Sequence, residues 1–97
     1  MKRLVIWSPK ALANFRRQIR HMALASERNA DLVAARLETA ANRLADFPTG
    51  RAGRVKNTFE KYVANTSHFL VYLKTEQKIT ILRVIHTSRE WKPGEWP

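Results

Sequence analysis

Ninety-seven residues, 44% of them hydrophobic, suffice for one modest core, so residues 1–97 are expected to form a single domain. The absence of cysteine excludes disulfides and thiolate metal sites, three scattered histidines offer no ligand spacing for a metal, and no apolar run approaches the roughly 20 residues that cross a bilayer. Eighteen Lys and Arg against eight Asp and Glu leave a formal charge of +10, more than solubility needs in so short a chain, and point to a negative partner: nucleic acid, an acidic protein or, on charge alone, an anionic membrane.

The first apolar run, Leu4-Val5-Ile6-Trp7, is cut at once by Ser8-Pro9 and never becomes the apolar region of a signal peptide, so a cytoplasmic location without a membrane partner is expected. Lys2 to Trp7 reads as a short strand. Ser8 is placed to cap a helix with Pro9 at its first position, where no amide hydrogen is missed. Leu12, Phe15, Ile19 and Met22 then recur at helical spacing, with Lys10, Arg16, Arg17 and Arg20 elsewhere on the cylinder. Ser26 caps a second helix whose stripe is Ala30, Val33, Leu37, Ala40, Leu44 and Phe47, and its many alanines allow close approach of the two helices. Asp46-Phe47-Pro48-Thr49-Gly50 ends it.

After Gly50 the period changes to two. Val55, Phe59 and Val63 share one parity, Phe69, Val71 and Leu73 the next, and Ile79, Ile81 and Ile85 the last, separated by the short polar connections Asn65-Thr66-Ser67 and Glu76-Gln77-Lys78. The expected fold is α+β in the order β-α-α-β-β-β: a helical hairpin packed on one face of a small, mainly antiparallel sheet whose other face is open.

The last strand carries the chemistry. A run as β-branched as Ile79 to Ile85 reads as buried, yet it contains Arg83 and delivers His86, Arg89 and Trp91, which suit a phosphate, a nucleobase or an acidic segment. Arg83 has an ordinary alternative, an ion pair with Glu60 or Glu90 that locks the sheet. Arg83 and His86 lie an odd number of positions apart, so they share a site only past a bulge or the strand end. Arg51, Arg54, Lys56 and Lys61 form a basic run into the sheet, readable as a nucleic-acid track or as a solvated loop. Arg16, Arg17 and Arg20 read as solvent-facing charge or as a landing surface for an acidic partner. Trp91 is expected to fold back over the sheet edge, and Trp96 to be mobile unless a partner fixes it.

The order of these elements, with Trp7-Ser8-Pro9 at the first junction, Gly50-Arg51-Ala52-Gly53-Arg54-Val55 after the second helix and Ile81-Leu82-Arg83-Val84-Ile85-His86-Thr87-Ser88-Arg89-Glu90-Trp91 near the end, resembles the ParE branch of the RelE/ParE toxins over nearly the whole chain. One segment departs from the pattern: Asn57-Thr58-Phe59-Glu60 stands where ParE-like chains often have Gly-Thr-Arg-Glu. The resemblance implies the toxin of a type II toxin–antitoxin system, poisoning DNA gyrase and held inactive in a hetero-oligomer with a cognate antitoxin. On that reading Arg54, Lys56, Arg83, His86, Arg89 and Trp91 meet the target, Arg16, Arg17, Arg20 and Trp96 meet the antitoxin, and there is no catalytic residue, cofactor or metal. The RelE branch, which cleaves messenger RNA on the ribosome, is the alternative, with Glu60, Arg83, His86 and Arg89 as a metal-independent nuclease site. A non-toxic basic nucleic-acid-binding module is the second alternative.

Overall fold

The Ser8 hydroxyl accepts a hydrogen bond from the Ala11 amide at 3.1 Å, and the Ser26 hydroxyl one from the Asn29 amide at 3.1 Å, so both helix starts follow from short polar residues placed just before an apolar stripe. The computed structural model describes residues 2–92 and 94–96. Its elements are β1 (Leu4–Trp7), α1 (Pro9–Ala23), α2 (Glu27–Arg43), β2 (Arg51–Ala52), β3 (Phe59–Tyr62), β4 (His68–Lys74) and β5 (Lys78–His86). The strands form one mixed sheet in the order β1-β5-β4-β3-β2, in which β1 runs parallel to β5 and the remaining pairs are antiparallel. The α1–α2 hairpin packs on one face, giving the expected α+β class. Neither helix is long and apolar enough to cross a membrane.

Two features of the sheet differ from the sequence reading. It has five strands, because Arg51–Ala52 adds a two-residue edge strand to β3, too short to show any period. A Cβ on the neighbouring Gly53 would collide with the Thr58 hydroxyl and crowd its carbonyl, so the loop that returns to β3 packs closely against glycine. Asn57 takes a left-handed φ of 68° at the position where ParE-like chains often carry Gly, a conformation asparagine tolerates, so the turn survives the exchange.

The second difference is a β-bulge. Tyr72 pairs with Ile81 and Val71 with Arg83, which leaves Leu82 as an extra residue in β5. Before it, Ile79 and Ile81 face the helices. After it the phase is inverted, so Val84 joins that core with Leu37, Leu70 and Tyr72, while Ile85 lies on the other face with Phe69 and Val71. Ile85 therefore does not share a face with Ile79 and Ile81. The Leu82 carbonyl accepts from the Ser8 hydroxyl at 3.2 Å and from the Arg83 guanidinium at 2.8 Å. β1 ends opposite Ile81, and from there α1 supplies side chains where a strand would have supplied backbone: Asn14 Oδ1 accepts the Val84 amide at 3.3 Å and Gln18 Nε2 donates to the Val84 carbonyl at 2.7 Å. That substitution explains why Asn14 is buried on a helix whose expected apolar stripe, Leu12, Phe15, Ile19 and Met22, is only partly so.

On α2 the stripe holds as far as Leu44, but Phe47 is 68% exposed because the helix ends at Arg43 and the helical phase no longer aims it. The outer face of the sheet is not open. Trp91 and Trp96 pack over Phe69, Val71 and Ile85 to make a second, smaller core. Leu37 is completely buried whereas Leu24 is 84% exposed at the end of α1. Leu37→Ala is expected to cost about 2–5 kcal/mol, read as a lower urea midpoint with unchanged slope, and Leu24→Ala to stay within about 0.5 kcal/mol.

Candidate functional site

On the outer face the buried carboxylate of Glu60 organises the cations. Its Oε2 accepts the Arg54 amide at 2.9 Å and lies 3.4 Å from Arg54 Nε, while its Oε1 lies 3.4 Å from Arg51 Nη2. Among the described residues these are the only ion pairs. With its backbone tied down, Arg54 lays its guanidinium over Trp91 at 4.5 Å and near Phe69 at 5.4 Å. Arg83 sits 4.8 Å over the Trp96 ring, and the two indoles stack at 5.3 Å. Arg83 thus pairs with neither Glu60 nor Glu90. Aromatic faces attract a cation, by about 0.5–2 kcal/mol, without neutralising it, so Arg83 keeps a net charge and unused donors for a phosphate or carboxylate. Lys56 is exposed in the turn that precedes β3.

His86 and Arg89 lie elsewhere. The bulge precedes both Arg83 and His86, so it inverts the two together and leaves them on opposite faces. His86 faces His68 across the β4–β5 ladder, with ring centroids 5.1 Å apart and planes at 82°. Its Nδ1 accepts the Ser88 amide at 3.1 Å. Both histidines line a groove of about 620 Å³ between the helices and the ends of β4 and β5, into which Arg17, Arg36 and Arg89 bring three guanidinium groups and, among the described residues, none brings a carboxylate. The four residues of the nuclease alternative are therefore divided, with Glu60 and Arg83 on the outer face and His86 and Arg89 at the groove.

The arginines of α1 also separate. Arg17 lines the groove, while Arg16 and Arg20 border a cleft that they share with Glu27 and Asp31. Trp96, expected to be mobile, is half-buried against Trp91 and Arg83, and Trp91 covers the sheet face as well as its rim. The sequence reading gives Asn14, Gln18, Arg36 and His68 no role, and Phe69 only a place in a strand. The polar pair at i and i+4 on α1, set inside an apolar stripe, was the available signal for Asn14 and Gln18. The meeting of His68 with His86 depends on strand register and has no local signature.

The profile of the family described as ParE toxin of type II toxin–antitoxin system, parDE, matches residues 5–91. The Sinorhizobium fredii (strain NBRC 101917 / NGR234) protein named "Putative toxin Y4kP" is 37% identical over 60 residues, which cover 61% of this chain and 62% of that protein, so the match spans less than two thirds of the relative's length. A chain from a solved structure of the chromosomal ParDE TA system from P. aeruginosa superposes with a TM-score of 0.79 at 17% identity, covering 88% of this chain and 96% of that one, and shares its fold.

Two outcomes test this geometry. Glu60→Gln keeps the shape but removes the charge that holds Arg51 and Arg54, and should cost about 1.5–3 kcal/mol in urea unfolding, with a red shift of tryptophan fluorescence as the aromatic layer loosens. His68 is held at a pKa of about 4, against 6.5 for the free group, chiefly by burial and then by the charge of His86. The folded state therefore binds fewer protons than the unfolded chain, and the stability present above about pH 6.5 is lost as pH falls toward 4, by up to about 3 kcal/mol. Unfolding measured across that window should show the decline, and His68→Leu should flatten it.

Proposed function

We propose, from the premise that the chain belongs to the ParE toxin family of type II toxin–antitoxin systems, that residues 1–97 act in the cytoplasm as a single domain that poisons DNA gyrase and is neutralised by a cognate antitoxin. The observation that carries this reading is the family match over residues 5–91, which spans both helices and every strand but for Leu4 at the start of β1. The outer face supports a binding role over a cleaving one. Its one buried carboxylate is occupied by Arg51 and Arg54, and His68 and His86 line the groove instead, so among the described residues no buried acid–base pair adjoins Arg83. Arg54, Lys56, Arg83 and Trp91 are the residues we assign to the target, with His86 and Arg89 at the neighbouring rim.

The antitoxin must bring acidic residues to a chain of charge +10, and Arg16, Arg17 and Arg20 offer α1 as one landing place, with Trp96 at the edge of the outer face. A dry floor for its apolar residues is available between α2 and β3, where Leu32, Phe47 and Tyr62 are exposed beside Arg36, Arg43 and Lys61. The test has two arms. Expression of the chain alone should arrest growth and co-expression with the adjacent reading frame should restore it. The purified chain should inhibit gyrase supercoiling and leave ribosome-bound messenger intact, with Arg83→Ala raising the concentration required at least tenfold. Intact supercoiling together with cleaved messenger would replace this reading with the RelE-like one.

A further inference from the structure

The reading above uses only the margins of the groove between the helices and the His68–His86 end of the sheet, with His86 and Arg89 at the target rim and Arg17 on the antitoxin's side, and leaves its interior without a role. Arg17, Arg36 and Arg89 line it, and among the described residues no carboxylate does and none of the three forms an ion pair. Arg36 gives one donor to the Asn65 carbonyl at 3.1 Å, which steadies the guanidinium and leaves most of its fork unused. Between these charges the groove has an apolar floor, to which Met22, Val33 and Val84 contribute.

Two polar atoms of the lining are buried and have no partner. His68 is 4% exposed, and its Nδ1 makes no hydrogen bond. Gln18 Oε1 is likewise buried and unpaired. The amide orientation of Gln18 is dictated by its neighbour, because the Val84 carbonyl can only accept and so must face Nε2, which leaves Oε1 as an acceptor that lacks a donor. Leaving such an atom unpaired inside a protein costs about 1–3 kcal/mol. Inorganic phosphate satisfies the arginines and carries a P–OH, but it has no apolar body to cover the floor while it reaches Gln18. A ligand with an anionic end, an N–H or O–H donor and a flat apolar body answers all three features at once, and a volume of about 620 Å³ accommodates one.

We propose that this groove binds a nucleotide, with its phosphate on Arg17, Arg36 and Arg89 and its base against the apolar floor, donating to Gln18 Oε1 and meeting the His68 ring. The site lies across the sheet from Arg54 and Arg83 and meets the surface assigned to the target only at His86 and Arg89.

The test titrates AMP and, separately, inorganic phosphate into the purified full chain by calorimetry at constant ionic strength, which holds the general attraction of a basic protein for anions fixed. Saturable AMP binding is expected, at least tenfold tighter than phosphate. Arg17→Ala and Arg89→Ala should each weaken it at least fivefold, whereas Lys78→Ala at the opposite end of β5 should not change it. In the unsubstituted protein, the side-chain amide of Gln18 and the ring protons of His68 should shift in NMR spectra as AMP is added, a readout independent of any variant's folding. The proposal is overturned by the absence of saturable AMP binding, by phosphate binding as tightly as AMP, by AMP leaving the Gln18 and His68 signals in place, or by affinity that is lost with Arg83→Ala but kept with Arg17→Ala and Arg89→Ala.

Discussion

One extra residue in β5 determines where the charge of this protein goes. Without Leu82 as a bulge, the alternation that sends Ile79 and Ile81 into the main core would send Arg83 after them, and a guanidinium would be buried among Leu37, Leu70 and Tyr72 with no carboxylate in reach. An unpaired buried charge costs far more than any single packing contact returns, so the regular strand and Arg83 are incompatible. The bulge removes the conflict by shifting phase, and its loosened carbonyl is recovered by Ser8 and by Arg83 itself. The same shift points Ile85 outward, where it becomes part of the floor for Trp91 and Trp96, and turns His86 toward His68.

α1 makes that irregular strand tolerable. A strand that outruns its neighbour leaves an edge of unpaired backbone groups, which ordinarily invites another strand. Here β1 stops opposite Ile81, and Ser8, Asn14 and Gln18 occupy the vacated edge with side-chain partners for Leu82 and Val84. The helix therefore does more than cover a core. It completes the sheet, and in doing so it fixes the wall of the groove in which the chain's three histidines collect. A polar residue inside its apolar stripe is consistent with a globular core only because the stripe faces a strand edge instead of another apolar surface.

The local parts of this architecture were legible in the sequence and the relational parts were not. Ser8 and Ser26 act within three residues of themselves, and helical periodicity over Ala30 to Leu44 reports a face directly, so both helices could be read from the residues alone. Phe47 fits the stripe by spacing alone, because periodicity does not announce where a helix stops. Leu82 is as apolar as its neighbours, so nothing marks it as the inserted residue. The choice of Glu60 between Arg83 and the pair Arg51 and Arg54 turned on strand order, since Glu60 lies opposite Arg51 across the β2–β3 ladder while β4 separates it from Arg83. The covering of the outer face by Trp91 and Trp96 was half visible: Trp91 reads as cover from its size, but an aperiodic tail gives no indication of how far it extends across the sheet.

The division of charge between two surfaces has a thermodynamic consequence. Eighteen cationic side chains share eight carboxylates, and the one that is buried among them, Glu60, already serves two arginines. The remaining guanidinium groups repel one another, weakly through solvent but cumulatively, and aromatic contacts at Arg54 and Arg83 offset this without cancelling the charge. Any anion that binds the folded chain and not the unfolded one relieves that repulsion and stabilises the fold by mass action. Because the outer face and the groove are separated by the sheet, relief at one leaves the other charged. A polyanionic or acidic partner seated on one surface would thus stabilise the fold while the second surface keeps its attraction for anions.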